Sequence, residues 1–195
     1  MKSIMKNSYL PILSLLFLFS GQVYADGLQL NQSGESSSIV LNGSASASDN
    51  LTVNQSGSLN DIILNSDSDV VVAVVQEGES NLLDLDISGH GEWQLLQSGL
   101  DNTAVISASG TEIIGSVSQV GENNTIISDL IGSNLRANIS QHGAGNEVDL
   151  QYSGSNSNFD LLQRGNGNRM EILPSGSGLN VVVEQIGDDG SVVIN

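Results

Sequence analysis

The chain has 195 residues, with 22 Asp and Glu against five Lys and Arg, a formal charge of −17 and no cysteine. So acidic a surface excludes nucleic acid, whose phosphates demand Lys and Arg, and argues against anionic membranes. Without disulfides, burial and hydrogen bonding must hold the fold.

Lys2 and Lys6 precede an apolar stretch at 10–19, and Val23, Tyr24 and Ala25 form a small-residue cleavage signature. That layout predicts a secretory signal peptide over residues 1–25, leaving one domain at 26–195. The apolar stretch is short of the ~20 residues a membrane-spanning helix needs, so no membrane insertion is expected of the mature chain. From residue 26 onward the only cations are Arg136, Arg164 and Arg169, which against 22 acids give a formal charge of −19. High charge with modest hydrophobicity is also a mark of disorder. A strict internal period argues against it.

That period belongs to the pattern Gln-x-Gly-x-x-Asn, which starts at Gln55, Gln76, Gln97, Gln119, Gln141 and Gln163. Its Asn positions are Asn60, Asn81, Asn102, Asn124, Asn146 and Asn168. Degenerate copies start at Gln32, with Ser37 in the Asn position, and at Gln185, with Gly190 there. The spacing is 21 to 23 residues throughout. The glycine recurs in all eight copies, at Gly34, Gly57, Gly78, Gly99, Gly121, Gly143, Gly165 and Gly187. Repetition at this period signals a stacked architecture.

Within a unit, Val70, Val72, Val74 and Gln76 alternate with outward residues, which is the period of a strand. A Gly-containing break follows, and Asn81, Leu83, Leu85 and Ile87 then alternate again. A second set of glycines, Gly89, Gly110, Gly132, Gly154 and Gly176, marks a second turn, where positive φ or close approach is expected. Trp93 and Phe159 fall on inward positions. The fold expected is all-β: a parallel β-solenoid of about eight 22-residue strand–turn–strand rungs. Stacked in register, the Gln and Asn side chains form amide ladders along the column. One rung cannot bury enough surface to order itself, so neighbours are required.

Catalytic and metal chemistry find no pattern. His90 and His142 have no recurring partners, the calcium-binding nonapeptide of acidic solenoids is absent, and the acids keep no 22-residue phase. No catalytic residue, cofactor or dedicated metal site is expected. Glu77, Glu79, Asp101, Glu122, Asp188 and Asp189 are expected to act as gatekeepers that restrain association.

With its export signal and tandem Gln-x-Gly-x-x-Asn-x-Ala-x-Val units, the chain resembles the curlins, the subunits of bacterial curli. The fullest match runs from Gln97 to Ile106 and includes Gly99, Asn102 and Ala104. The resemblance covers nearly all of residues 26–195. It implies an extracellular amyloid fibre in the biofilm matrix, secretion through a curli-type outer-membrane channel, and a major subunit or nucleator as partner. Curlin repeats usually carry Ser six residues before the Gln and a further Gln two after the Val. Here Val70 and Gly91, and Ile87 and Ala108, hold those positions.

The function expected is therefore a structural subunit that polymerises end to end and supports adhesion. Leu28, Leu30 and Gln32 at one end, and Val192 and Ile194 at the other, would carry the polymer contact by strand addition. Two other roles remain open: a nucleator held at the cell surface, and a monomeric adhesin or ion- and ligand-binding solenoid. A monomer needs polar caps, and the strand ending at Ile194 shows none.

Overall fold

The structure is a computed structural model that describes residues 19–20, 27–43, 50–66 and 70–195. Of the expected signal peptide only Phe19 and Ser20 are among them. The cleavage point and residues 44–49 lie outside the described residues.

Two parallel sheets face each other, and successive strands alternate between them. One sheet has eight strands: β2 Gly27–Ser33, β4 Asn50–Ser58, β6 Val70–Glu79, β8 Gly91–Leu100, β10 Ile113–Glu122, β12 Arg136–Ala144, β14 Asn158–Asn166 and β16 Asn180–Ile186. The second has nine, beginning with β1 Phe19–Ser20 on the edge of β3 Ser38–Gly43. It continues through β5 Asp61–Ser66, β7 Leu82–Leu83, β9 Thr103–Ala104, β11 Thr125–Ile127, β13 Glu147–Leu150, β15 Arg169–Ile172 and β17 Ser191–Ile194. Each coil is one strand from each sheet, and coils stack as a β-solenoid. This is the expected fold.

Register follows the repeat residue for residue. Gln76 pairs with Gln97, Gln97 with Gln119 and Gln119 with Gln141, and the glycines two places on pair likewise. A one-residue slip would turn every apolar side chain outward, so the alternation fixes this pairing. The inward set, including Val72, Leu95, Ile126, Val148, Phe159 and Leu161, is buried in one continuous core. Tyr152 closes the core edge-on to Phe159, with ring centroids 5.0 Å apart.

The second half of each coil departs from the simple reading. Alternating burial persists through Leu83, Leu85 and Ile87, yet β7 has only two residues. Asp86 and His90 take positive φ there, as do Ala108, Ser109 and Glu112 one coil later. Non-glycine residues thus make most left-handed bends at the second turn. Of the second-turn glycines only Gly176 has positive φ. Gly132 and Gly154 serve close approach instead: a Cβ on either would fall within 1.3 Å of the carbonyl of the next glycine in the series.

Two further features concern packing between coils. Gly115 lies in register with Trp93, and a Cβ on it would sit 2.1 Å from the indole. Trp93, 1% exposed, fills the space that a side chain at Gly115 would need. Ser128 faces inward at the position held by Ile106 and Leu150 in the flanking coils, and its Oγ has no partner among the described residues.

Three substitutions test this packing. Gly115→Ala is expected to lose about 1–3 kcal/mol through overpacking against Trp93, whereas Gly89→Ala, open to solvent, stays close to neutral. Ser128→Ala removes an unsatisfied hydroxyl and is expected to gain about 1 kcal/mol. Urea unfolding followed by Trp93 fluorescence measures all three.

Candidate functional site

The motif residues converge on one structure: a pair of amide ladders beside the first turn, the Gln ladder running the length of the column and the Asn ladder from Asn60 to Asn168. The Gln ladder is unbroken through all eight coils. Each Nε2 donates to the Oε1 of the following Gln, from Gln32 to Gln55 at 2.8 Å through to Gln163 and Gln185 at 3.0 Å. The steps between run over Gln76, Gln97, Gln119 and Gln141 at 2.8–2.9 Å. The second amide hydrogen reaches backbone carbonyls across the core. Gln97 Nε2, for example, lies 2.9 Å from Leu82 O and 3.3 Å from Asn102 O.

The Asn ladder runs the other way. Asn124 Nδ2 donates to Asn102 Oδ1 at 2.9 Å, and the backbone N–H of Asn124 donates to that same oxygen at 3.2 Å. Asn81, Asn102, Asn146 and Asn168 repeat the pattern, with Asn60 Oδ1 as the first acceptor. Each Nδ2 also donates to the glycine carbonyl of the coil beyond: Asn102 to Gly121 and Asn124 to Gly143, both at 2.9 Å. The Asn side chain therefore holds the first turn of two successive coils, a role beyond amide-to-amide pairing. All these amides except Gln32 are buried.

The turn glycines have a steric reason. Gly99 sits at φ +123°, and a Cβ there would be 2.0 Å from Gly121 O. Gly34, Gly57, Gly78, Gly121, Gly143 and Gly165 are confined in the same way by the coil above, while the space beyond Gly187 is open.

The expected polymer-contact residues lie at opposite ends and on different sheets. Leu28, Leu30 and Gln32 are on β2, the edge of the eight-stranded sheet; Val192 and Ile194 are on β17, the far edge of the nine-stranded one. In a straight stack β2 therefore faces β16, with Val181, Val183 and Gln185, and β17 faces β3, with Ile39 and Leu41. These counterparts carry the same alternation in the sequence, so that signal could have found them.

The outer surface is mixed, with Val71, Ile114, Ile127 and Ile131 exposed beside polar and acidic residues. Glu77, Glu79, Asp101, Glu122, Asp188 and Asp189 are exposed along the first-turn edge. His90 is exposed at the second turn and His142 half-buried beside Gln141. Among the described residues no group of three or more His, Asp and Glu is placed to hold a metal. Arg169 bonds Glu147 and, at 3.3 Å, Glu171. The Glu147 bond, then that of Glu171, raises the guanidinium above its ordinary pKa.

Neither protein-family models, nor curated proteins, nor solved structures offer any match to this chain.

Gln97→Glu probes the ladder with almost no change of shape. The replacement oxygen would face Gln119 Oε1 and two backbone carbonyls, so the buried carboxylate stays protonated to higher pH than the unfolded ~4.3. In the window between those values the folded state binds more protons, so stability falls as pH rises. A loss of about 3–5 kcal/mol near pH 7, largely relieved in acid, is expected from urea midpoints measured across pH.

Proposed function

We propose that this protein is the structural subunit of an extracellular, curli-type amyloid fibre that grows by stacking coil on coil. The supporting observation is the open end of the column. Phe159, Leu161, Met170 and Ile172 are buried, whereas their counterparts Val181, Val183, Val192 and Ile194 in the last coil are only partly covered. Unpaired backbone edges and half-covered apolar side chains together form a strand-addition surface. The function is mechanical: a matrix polymer for biofilm and adhesion, exported through a dedicated outer-membrane channel and started by a nucleating relative. The repeat motif and the signal-like residues 1–25 support that placement by resemblance.

Charge sets the pace of assembly on this reading. Asp188 and Asp189 on the last coil would approach Glu35 on the first, all three exposed. Like charges at that distance slow association until protons or salt remove the repulsion.

Purified chain beginning at residue 26 is expected to form fibres giving ~4.8 Å and ~10 Å reflections. Growth should be faster at low pH, at high salt or with divalent cations. A persistent monomer would turn the reading toward a solitary surface adhesin, and kinetics indifferent to all three conditions would remove the charge gate.

A further inference from the structure

The two ends of the column differ in one respect that the repeat itself does not require. At the first coil, Gln32 Oε1 is shut off from solvent and has no partner among the described residues. At the last coil, Gln185 Oε1 accepts from Gln163, while Gln185 Nε2 donates to no group among the described residues. One end presents an amide acceptor and the other an amide donor, in the same place in the coil. The Asn ladder stops short at both ends. Ser37 Oγ stands in for an Asn oxygen and accepts the backbone N–H of Asn60 at 3.2 Å. Gly190 N–H donates to Asn168 Oδ1 at 3.0 Å, and Gly190 has no side-chain oxygen to pass the ladder on.

Resting on the polymer reading above, we propose that each end takes a second copy of this chain head to tail, through a joint that the Gln ladder crosses and the Asn ladder does not, so that fibres part into folded subunits.

Across that joint Gln185 Nε2 of one copy meets Gln32 Oε1 of the next and satisfies both. Like faces would oppose donor to donor or acceptor to acceptor, so the polarity is fixed and the contact cannot close on itself. Backbone pairing and apolar contact also cross the joint. The β3 edge already accepts a strand in the required register: the backbone of Phe19–Ser20 lies on Leu41 and Asn42. Leu41 holds the coil position of Ile194, two residues beyond the column that runs through Ile39, Ile62, Met170 and Val192. The polymerising form is therefore the chain without residues 1–25, with that edge free.

Missing from the joint are the two bonds that each internal Asn oxygen receives, from a backbone N–H and an Nδ2. Every coil interface between Asn60 and Asn168 has them. The joint is thus the weakest interface in the fibre and opens before any coil does.

The test compares two readouts on preformed fibres of the chain from residue 26 in a urea series. Sedimentation reports fibre; fluorescence of Trp93, the only tryptophan and buried in the fourth coil, reports the fold. Fibre is expected to be lost at lower urea than the Trp93 signal, releasing subunits that regrow on dilution without a refolding phase. Ser37→Asn with Gly190→Asn supplies the missing ladder step once the Gln185 amide, 2.5 Å from where the added Cβ falls, shifts aside, and is expected to slow subunit release about tenfold, as two modest hydrogen bonds would. Coincident transitions in the unsubstituted fibre overturn the joint, even if the double variant fails to fold. Unchanged release in a folded double variant does so too. Absence of fibres under every condition would instead overturn the polymer reading and the joint with it.

Discussion

Everything in this molecule depends on identical side chains lying directly above one another. An amide buried in an apolar core is costly unless both its N–H and C=O are satisfied, and a primary amide stacked on its own kind does this while using the next coil as partner. The requirement propagates. A Gln at one level demands a Gln at the next, a glycine follows because the neighbouring carbonyl occupies the Cβ position, and the Asn ties both to the turn. The 22-residue period is thus the sequence form of a hydrogen-bonding rule.

That rule explains what could be read from the chain and what could not. The first half of each coil was legible because it is over-determined: strand alternation, a fixed Gln, a Gly and an Asn all specify one register. Each ladder residue inferred from spacing takes its place in the column. The second turn was much less legible. It contains no obligatory amide, so each coil bends in its own way, with Asp86 and His90 in one, Ala108 and Ser109 in the next, and Leu130 and Ile131 after that in left-handed conformations. Side-chain exchange between coils was hidden as well. Nothing within a single repeat reveals that Gly115 is small because Trp93, one coil away, occupies its space. Such compensation is a property of pairs of repeats.

The charged residues follow a different logic from the core. None of the described ones is buried and no common phase orders them, so they shape the surface without specifying the fold. Their distribution along the axis is uneven: Arg136, Arg164 and Arg169 all belong to the sixth and seventh coils, on β12, β14 and β15. There Arg169 bridges Glu147 on the adjacent strand β13 and Glu171 on its own strand β15. The first five coils and the last carry acids with no Lys or Arg among them, so anionic repulsion there is left to solvent and salt to moderate.

The opposed sense of the two ladders has an electrical consequence. In an α-helix, peptide dipoles all point one way and sum to a field at the termini; β-sheets contribute little of their own. Here the Gln amides direct their positive ends toward the C-terminal coil and the Asn amides toward the N-terminal one. The two columns of dipoles oppose one another along the axis, the Asn column in part, since its second N–H turns to the glycine carbonyl of the following coil. A column built this way therefore gains less axial polarity with each added coil than one ladder alone would give it.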